Sequence, residues 1–198
     1  MSTVNAVADT PSVTNASTVE DTQTTSGLVI SRNVADSTEV THFKITAITN
    51  GTLFQNDGVT PIANNAFITI AQGNAGLKFT PSANFFGNGT FQVQASLANN
   101  DGGLGGGVIT ATITVNPVAD TPSVTNSMTN EDTKTTTGLV VSRNATDGAE
   151  VTHFKITNIT NGALVQNDGT TPIANNAFIT FAQANAGLKF TPAANLFS

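Results

Sequence analysis

The stretch TFQVQASL, residues 90–97, alternates strictly between polar and apolar side chains. Its apolar members fall at every second position, namely Phe91, Val93, Ala95 and Leu97. Because successive side chains of a β-strand point to opposite faces, this period of two predicts a strand with one buried face.

A second run with the same period follows at residues 108–115, VITATITV, in which Ile109, Ala111, Ile113 and Val115 are expected to face inward. Further runs also predict strands: GLVISRN from residue 27, VTHFKITAIT from 40, TLFQ from 52, FITIA from 67 and GLKFTP from 76. Turn-forming residues such as Asn56-Asp57-Gly58 separate these runs. Since no stretch shows a convincing apolar period of 3.6, the sequence predicts an all-β protein.

The chain repeats itself at a constant offset. Residues 4–87 align with 115–198 without a gap, and 64 of the 84 aligned positions are identical. Residues 88–114 have no second copy. We therefore predict a complete β-sandwich repeat over residues 1–115 and a second repeat over 116–198 that lacks its last two strands. This second repeat is expected either to be less stable than the first or to be completed by another copy of the chain through its open strand edges. The alternative is a sequence whose end does not coincide with a domain boundary.

The length of the repeat further limits which all-β folds are possible. About seven alternating strands in roughly 100 residues are typical of a Greek-key β-sandwich. The predicted fold class is thus all-β, with tandem immunoglobulin- or cadherin-like Greek-key β-sandwiches of which the second is truncated. The twice-written VADTPSVTN, at 7–15 and 118–126, is predicted to be the joint, because Pro122 restricts its own backbone and that of Thr121 to extended geometry.

Several stretches resemble the tandem cadherin-like repeats of large bacterial surface proteins. The most specific are NEDT at 130–133, GLKFTP followed by ANFFGNGTF, and the linker ITVNPVADTP at 113–122. The resemblance spans nearly the whole chain. It implies a string of sandwich domains in a secreted or surface-anchored adhesin-type protein, with neighbouring repeats of the same protein as partners and calcium at the joints.

Five carboxylates are candidate ligands for that calcium: Glu20, Asp21, Asp120, Asp147 and Glu150. In an immunoglobulin-type sandwich, the loop after the first strand lies at the end facing the following domain, and the loop between strands two and three lies at the opposite end. Acids of one repeat would thereby approach acids of the next. Ca²⁺ takes roughly six to eight oxygen ligands, so such a group would suit it. The alternative is that these acids are solvated loop residues.

Composition excludes several classes of partner. The formal net charge is −6 with only 7 Lys and Arg, so the chain cannot neutralise a phosphate backbone and nucleic acid is not expected as a partner. No apolar run is long enough for a membrane span, and MSTVNAVADT at the N-terminus lacks the features of a secretion signal, which would have to lie elsewhere. The absence of cysteine excludes disulfides and thiol chemistry.

No motif predicts an enzyme. His42 and His153 occupy the same position in the two repeats, on the polar face of a predicted strand, and are expected to be exposed. DGGLGGG at 101–107 is predicted to be a flexible hairpin loop, because a phosphate-binding loop would lead from a strand into a helix.

The sequence therefore predicts a structural spacer located outside the cell or on a bacterial cell surface. The alternative is a polysaccharide-binding β-sandwich module. Sugar-binding platforms usually rely on exposed Trp or Tyr, and the chain contains neither.

Overall fold

The structure, a computed structural model, describes residues 4–196. Strands dominate the described residues, in which the only α-helices are two segments of five residues each, so the predicted all-β class is confirmed. The chain divides into two compact units, one up to Val118 and the other from Ala119. They are called unit 1 and unit 2 below.

The described residues of unit 1 form ten strands and one short helix. They are β1 Ser12–Val13, β2 Ala16–Val19, β3 Ile30–Ser31, β4 His42–Thr49, β5 Gly51–Phe54, β6 Pro61–Ile62, β7 Phe67–Thr69, α1 Ile70–Asn74, β8 Lys78–Pro81, β9 Gly87–Ser96 and β10 Leu104–Asn116. A single 3₁₀ turn, Asp101–Gly103, connects β9 to β10.

Two sheets of unit 1 share one hydrophobic core. The larger has the order β2-β10-β9-β4-β7, in which β2 runs parallel to β10 and the other neighbours are antiparallel. The smaller has the order β6-β5-β8, and β1 pairs separately with β3. The rings of Phe43 from β4, Phe79 from β8 and Phe91 from β9 are fully buried together in the core.

The inward faces predicted for the runs at residues 90–97 and 108–115 are confirmed. Six of the eight apolar side chains on these inward faces are buried, and the two nearest the turn between the strands are half-buried. The buried ones are Phe91, Val93, Ala95, Ala111, Ile113 and Val115, and the half-buried ones are Leu97 and Ile109.

Unit 2 repeats the local structure of unit 1 up to the point where its sequence ends. Its elements are β11 Ser123–Val124, β12 Val141–Ser142, β13 His153–Lys155, β14 Gly162–Val165, β15 Pro172–Ile173, β16 Phe178–Thr180, α2 Phe181–Asn185 and β17 Lys189–Pro192. β11 pairs with β12, β13 pairs with β16, and β14 lies between β15 and β17. The pairing of β13 with β16 matches that of β4 with β7: Phe154 lies opposite Ile179 in unit 2, and their counterparts Phe43 and Ile68 lie opposite each other in unit 1.

The strand predicted from FITIA is wrong after Thr69, where β7 ends and α1 begins. The Thr69 side chain accepts a hydrogen bond from the Gln72 backbone N–H, and the Thr69 N–H donates to Gln72 Oε1 at 2.7 Å. This reciprocal capping box satisfies backbone donors at the start of the helix. Thr180 and Gln183 form the same box in α2.

The strand predicted from GLVISRN is shorter than expected. Only Ile30 and Ser31 are in a strand, because Gly27 and Leu28 adopt positive φ angles of 84° and 55° that interrupt extended backbone.

Candidate functional site

Glu20 and Asp21, two of the five predicted calcium ligands, each accept a hydrogen bond from another segment of unit 1. Glu20 is only 8% exposed, and its carboxylate accepts a hydrogen bond from the backbone N–H of Val118, where the chain leaves β10. Asp21 Oδ1 accepts from the backbone N–H of Asn84 at 2.9 Å. Glu20 therefore holds the chain just after β10, and Asp21 holds the loop between β8 and β9.

Asp120 and Asp147, two further predicted ligands, are brought together in unit 2. The backbone N–H of Asp120 donates to Asp147 Oδ1 at 3.0 Å, and the hydroxyl of Thr146 donates to Asp120 Oδ2 at 2.6 Å. The same contact occurs in unit 1, where the N–H of Asp9 donates to Asp36 Oδ1 at 3.0 Å. In unit 2, Asp120 is thus hydrogen-bonded to the loop that precedes β13. In unit 1, Asp9 is hydrogen-bonded in the same way to the loop that precedes β4.

Glu150, the fifth predicted ligand, has lost a donor that its counterpart in unit 1 retains. In unit 1, the backbone N–H and the hydroxyl of Ser37 both donate to the carboxylate of Glu39, and this holds the pKa of Glu39 below its ordinary value. Gly148 replaces the serine in unit 2. Its N–H still donates to Glu150 Oε1, but there is no hydroxyl for Oε2.

Two carboxylate oxygens in this region of unit 2 are buried without a hydrogen-bond partner, Asp147 Oδ2 and Glu150 Oε2. Buried polar atoms of folded proteins nearly always have a partner, which can be a water or an ion. Carboxylate oxygens are the ligands that calcium prefers, so the donor set fits that ion chemically. Within residues 4–196, however, no three Asp, Glu or His side chains converge closely enough to form a metal-binding group.

A groove of about 630 Å³ opens on one face of unit 2, lined by both apolar and polar side chains. Its apolar walls include four residues that are half-buried here but whose unit 1 counterparts are completely buried. The four are Leu139, Ile156, Leu164 and Phe190, and their counterparts are Leu28, Ile45, Leu53 and Phe79. Sequence reasoning did not identify these residues as a site, although aligning the two repeats shows which segment is missing beside them.

The glycine-rich segment 101–107 is only in part the hairpin loop that the sequence predicts. Asp101–Gly103 form a turn between β9 and β10, but β10 already begins at Leu104, and its register with β9 shifts between Gly105 and Ile109. A Cβ at Gly105 would lie 2.5 Å from the carbonyl oxygen of Ala8, so the backbone of residues 8–10 passes directly over this part of the strand. The glycines permit that close approach.

His42 and His153 are the first residues of β4 and β13. His153 is exposed and His42 is half-buried, and each has its Nδ1 beside the hydroxyl of the preceding threonine. Lys44, next to His42, forms an ion pair with Asp101, the two charged atoms being 2.6 Å apart.

Comparison with known proteins found no matching family model, no similar curated protein and no similar solved structure. None of the helices in residues 4–196 is long and apolar enough to cross a membrane.

Proposed function

We propose that the chain is a non-catalytic spacer made of immunoglobulin- or cadherin-like Greek-key β-sandwich repeats, in a secreted or surface-anchored adhesin-type protein of a bacterium. The observation that carries this proposal is the repetition of one local structure in two units. The pairing Leu53–Phe79 between β5 and β8 recurs as Leu164–Phe190 between β14 and β17. Serial repetition extends a chain while each unit keeps its own core.

Two measurements test this proposal. Proteins containing the 198-residue sequence once, twice and three times are compared by small-angle X-ray scattering, and the maximum dimension should grow in proportion to the number of copies. Protease treatment of intact cells that produce the parent protein should remove the repeats. A maximum dimension that stays nearly constant, or repeats that are protected until the cells are lysed, would contradict the spacer role.

We further propose that calcium stabilises the region of unit 2 around Asp120, Asp147 and Glu150. The two unpartnered oxygens of Asp147 and Glu150 support this. Extracellular calcium modules have Kd values on the order of 10⁻⁴ to 10⁻³ M. Calcium at ~10 mM should therefore raise the melting temperature relative to chelator, and Asp147→Asn should remove the rise. An unchanged melting temperature, or an equal rise with Asp147→Asn, counts against calcium.

Polysaccharide binding is the second candidate, and one observation favours it. The ring of Phe178 is 68% exposed, and the Nζ of Lys155 lies 5.9 Å from its centroid, which leaves an apolar ring next to a hydrogen-bond donor. A glycan array separates the two functions. The spacer proposal predicts no binding, whereas binding that Phe178→Ala abolishes would favour a carbohydrate module.

A further inference from the structure

Glu20 is a buried charge at the end of a strand. It follows β2, which ends at Val19, and among residues 4–196 it is the only charged side chain that is classed as buried, with 8% of its surface exposed. Removing a carboxylate from water is costly unless hydrogen bonds replace its hydration. The donor that it finds is the backbone N–H of Val118.

The backbone ladder between β2 and β10 ends just before this carboxylate. Its last pair is Val19 with Asn116, and one more bond follows, from the N–H of Glu20 to the carbonyl of Asn116 at 3.0 Å. The chain then turns, because Asp21 has a φ of 55° and the N–H of Thr22 donates back to the carbonyl of Val19 at 3.3 Å. The main-chain pairing therefore stops at this point.

The carboxylate of Glu20 provides the next acceptor after the ladder stops, through its Oε1 to the N–H of Val118. Pro117, which lies between the two bonded residues, has no N–H to donate, and its ring fixes one backbone angle. It also restricts Asn116 to extended geometry. Glu20 therefore binds the chain on both sides of a stiff proline, through its backbone on one side and its side chain on the other.

A further hydrogen bond strengthens the attachment of Asn116. Its Nδ2 donates to the carbonyl of Thr18 at 3.3 Å, and the hydroxyl of Thr18 donates to the carbonyl of Thr22 at 2.8 Å. These bonds connect the end of β10 to the turn that follows β2. Residues 116–118, called the exit arm below, are thus attached to unit 1 by hydrogen bonds from Asn116 and Val118.

The bond to Val118 depends on the charge of Glu20. Hydrogen bonds from a backbone N–H to a carboxylate are roughly twice as strong as those between neutral groups. The bond is also partly buried, where water competes less. The side chain of Val118 is 43% exposed, so its packing contributes little to holding the residue. The carboxylate is therefore the main attachment of the last residue of unit 1.

We propose that Glu20 is a latch that fixes the exit arm on unit 1 without a metal ion. The arm is the last part of unit 1, so the latch determines where on the unit, and in which direction, the chain leaves it. Calcium is not required for this attachment, because protein groups alone supply its donors and acceptors. This inference goes beyond the spacer function and holds whether or not the chain is a spacer.

The test is amide hydrogen exchange of the 198-residue chain, measured by NMR. Glu20→Ala should speed exchange of the Val118 amide at least about tenfold, as expected for the loss of a hydrogen bond to a charged group. Glu20→Gln keeps an acceptor oxygen without the charge and should give an intermediate rate. The amide of Val93, in the core of unit 1, should exchange as slowly as in the wild type and thereby show that the unit remains folded.

A matched control is available in the neighbouring acid. The carboxylate of Asp21 accepts from the N–H of Asn84 and not from the exit arm. Asp21→Ala should therefore speed exchange at Asn84 and leave Val118 unchanged. Calcium and chelator should give the same Val118 rate in the wild type. This readout is separate from the scattering test of the spacer function, so either proposal can fail alone.

The latch is refuted if the Val118 amide exchanges equally fast in the wild type and in Glu20→Ala. It is also refuted if chelator alone speeds this exchange in the wild type as much as Glu20→Ala does, because an ion would then hold the arm. If Glu20→Ala unfolds unit 1, Glu20→Gln decides. A Val118 rate equal to that of the wild type in this second variant overturns the proposal.

Discussion

Thr24 and Phe79 bind each other through two hydrogen bonds in the interior of unit 1. The backbone N–H of Thr24 donates to the carbonyl of Phe79 at 2.9 Å, and the N–H of Phe79 donates to the Thr24 hydroxyl at 3.0 Å. Thr24 is 2% exposed and Phe79 is completely buried. Thr135 and Phe190 form the same two bonds in unit 2. The hydroxyl therefore satisfies a backbone donor of β8 that faces no neighbouring strand.

Replacing this hydroxyl should destabilise unit 1. Thr24→Val keeps the shape of the side chain but leaves the N–H of Phe79 buried without an acceptor, which costs about 1–3 kcal/mol of unfolding free energy. Urea unfolding followed by NMR signals of unit 1 measures the loss. Thr24→Ser retains the hydroxyl and is the control. Equal losses in both variants would show that the methyl group, and not the hydrogen bond, matters.

Restoring the donor that unit 2 lacks should stabilise it. Gly148→Ser recreates the hydroxyl that Ser37 offers to Glu39, and we expect a gain of about 1 kcal/mol in the unfolding free energy of unit 2. A Cβ at Gly148 would lie 2.7 Å from Glu150 Oε2, at the flexible end of that side chain, so a small carboxylate shift makes room. Hydrogen exchange of β12 and β13 reports the gain.

Two companion variants show whether the hydroxyl is responsible. Gly148→Ala adds the Cβ alone, and Ser37→Gly should lower the stability of unit 1. If Gly148→Ser and Gly148→Ala behave alike, the missing hydroxyl has no energetic role.

Asp168 should give unit 2 an acid-sensitive component of stability. The hydroxyl of Thr171, with the backbone N–H groups of Thr170 and Thr171, lowers the pKa of Asp168 from 3.8 to about 2. Since the folded pKa is depressed, the contribution is present above the unfolded pKa of ~3.9 and is lost as the pH falls through the folded value. Wild type and Asp168→Asn should differ in stability above pH ~4 and converge only below pH ~2. An NMR titration that places the Asp168 carboxyl near its ordinary pKa would contradict this.

Gly105 should tolerate no side chain, because its Cβ would meet the backbone of Ala8 at 2.5 Å. Gly105→Ala is expected to displace residues 8–10 and to cost about 1–3 kcal/mol, the usual range for overpacking. The control is Gly102→Ala, whose nearest contact is the side chain of Asn100 at 3.2 Å. Thermal melting measures both, together with exchange of the Gly107 amide, which donates to Thr10 Oγ1 at 2.6 Å. Normal protection of the Gly107 amide in Gly105→Ala would contradict the close packing.

The buried faces of β9 and β10 could be predicted from sequence because alternation is a local property of the chain. The pairing of β2 with β10 could not, since Ala16 and Ile113 are far apart in sequence and no nearby residue indicates which strands become neighbours. The helix α1 escapes prediction because five residues are too few to show a 3.6-residue period. Its capping box, Thr69 with Gln72, is the readable signal.

The candidate site is only partly predictable for a similar reason. Sequence identifies Glu20 and Asp21 as loop acids, but their use as acceptors for the N–H groups of Val118 and Asn84 depends on the folded path of the chain. The unpartnered oxygen of Glu150, in contrast, can be anticipated from the sequence. The change from Ser37 to Gly148 is visible as soon as the two repeats are aligned, so the loss of this hydroxyl can be read from the amino-acid sequence alone.

The parallel pairing of β2 with β10 has a consequence for how unit 1 resists force. Ala16 to Val19 lie beside Ile113 to Asn116, both strands running in the same direction. When the two ends of the unit are pulled apart, β2 is drawn one way along the ladder and β10 the other. The hydrogen bonds are then loaded in shear and must rupture together instead of unzipping in turn. The four residue pairs of this ladder thereby resist the pull as one group.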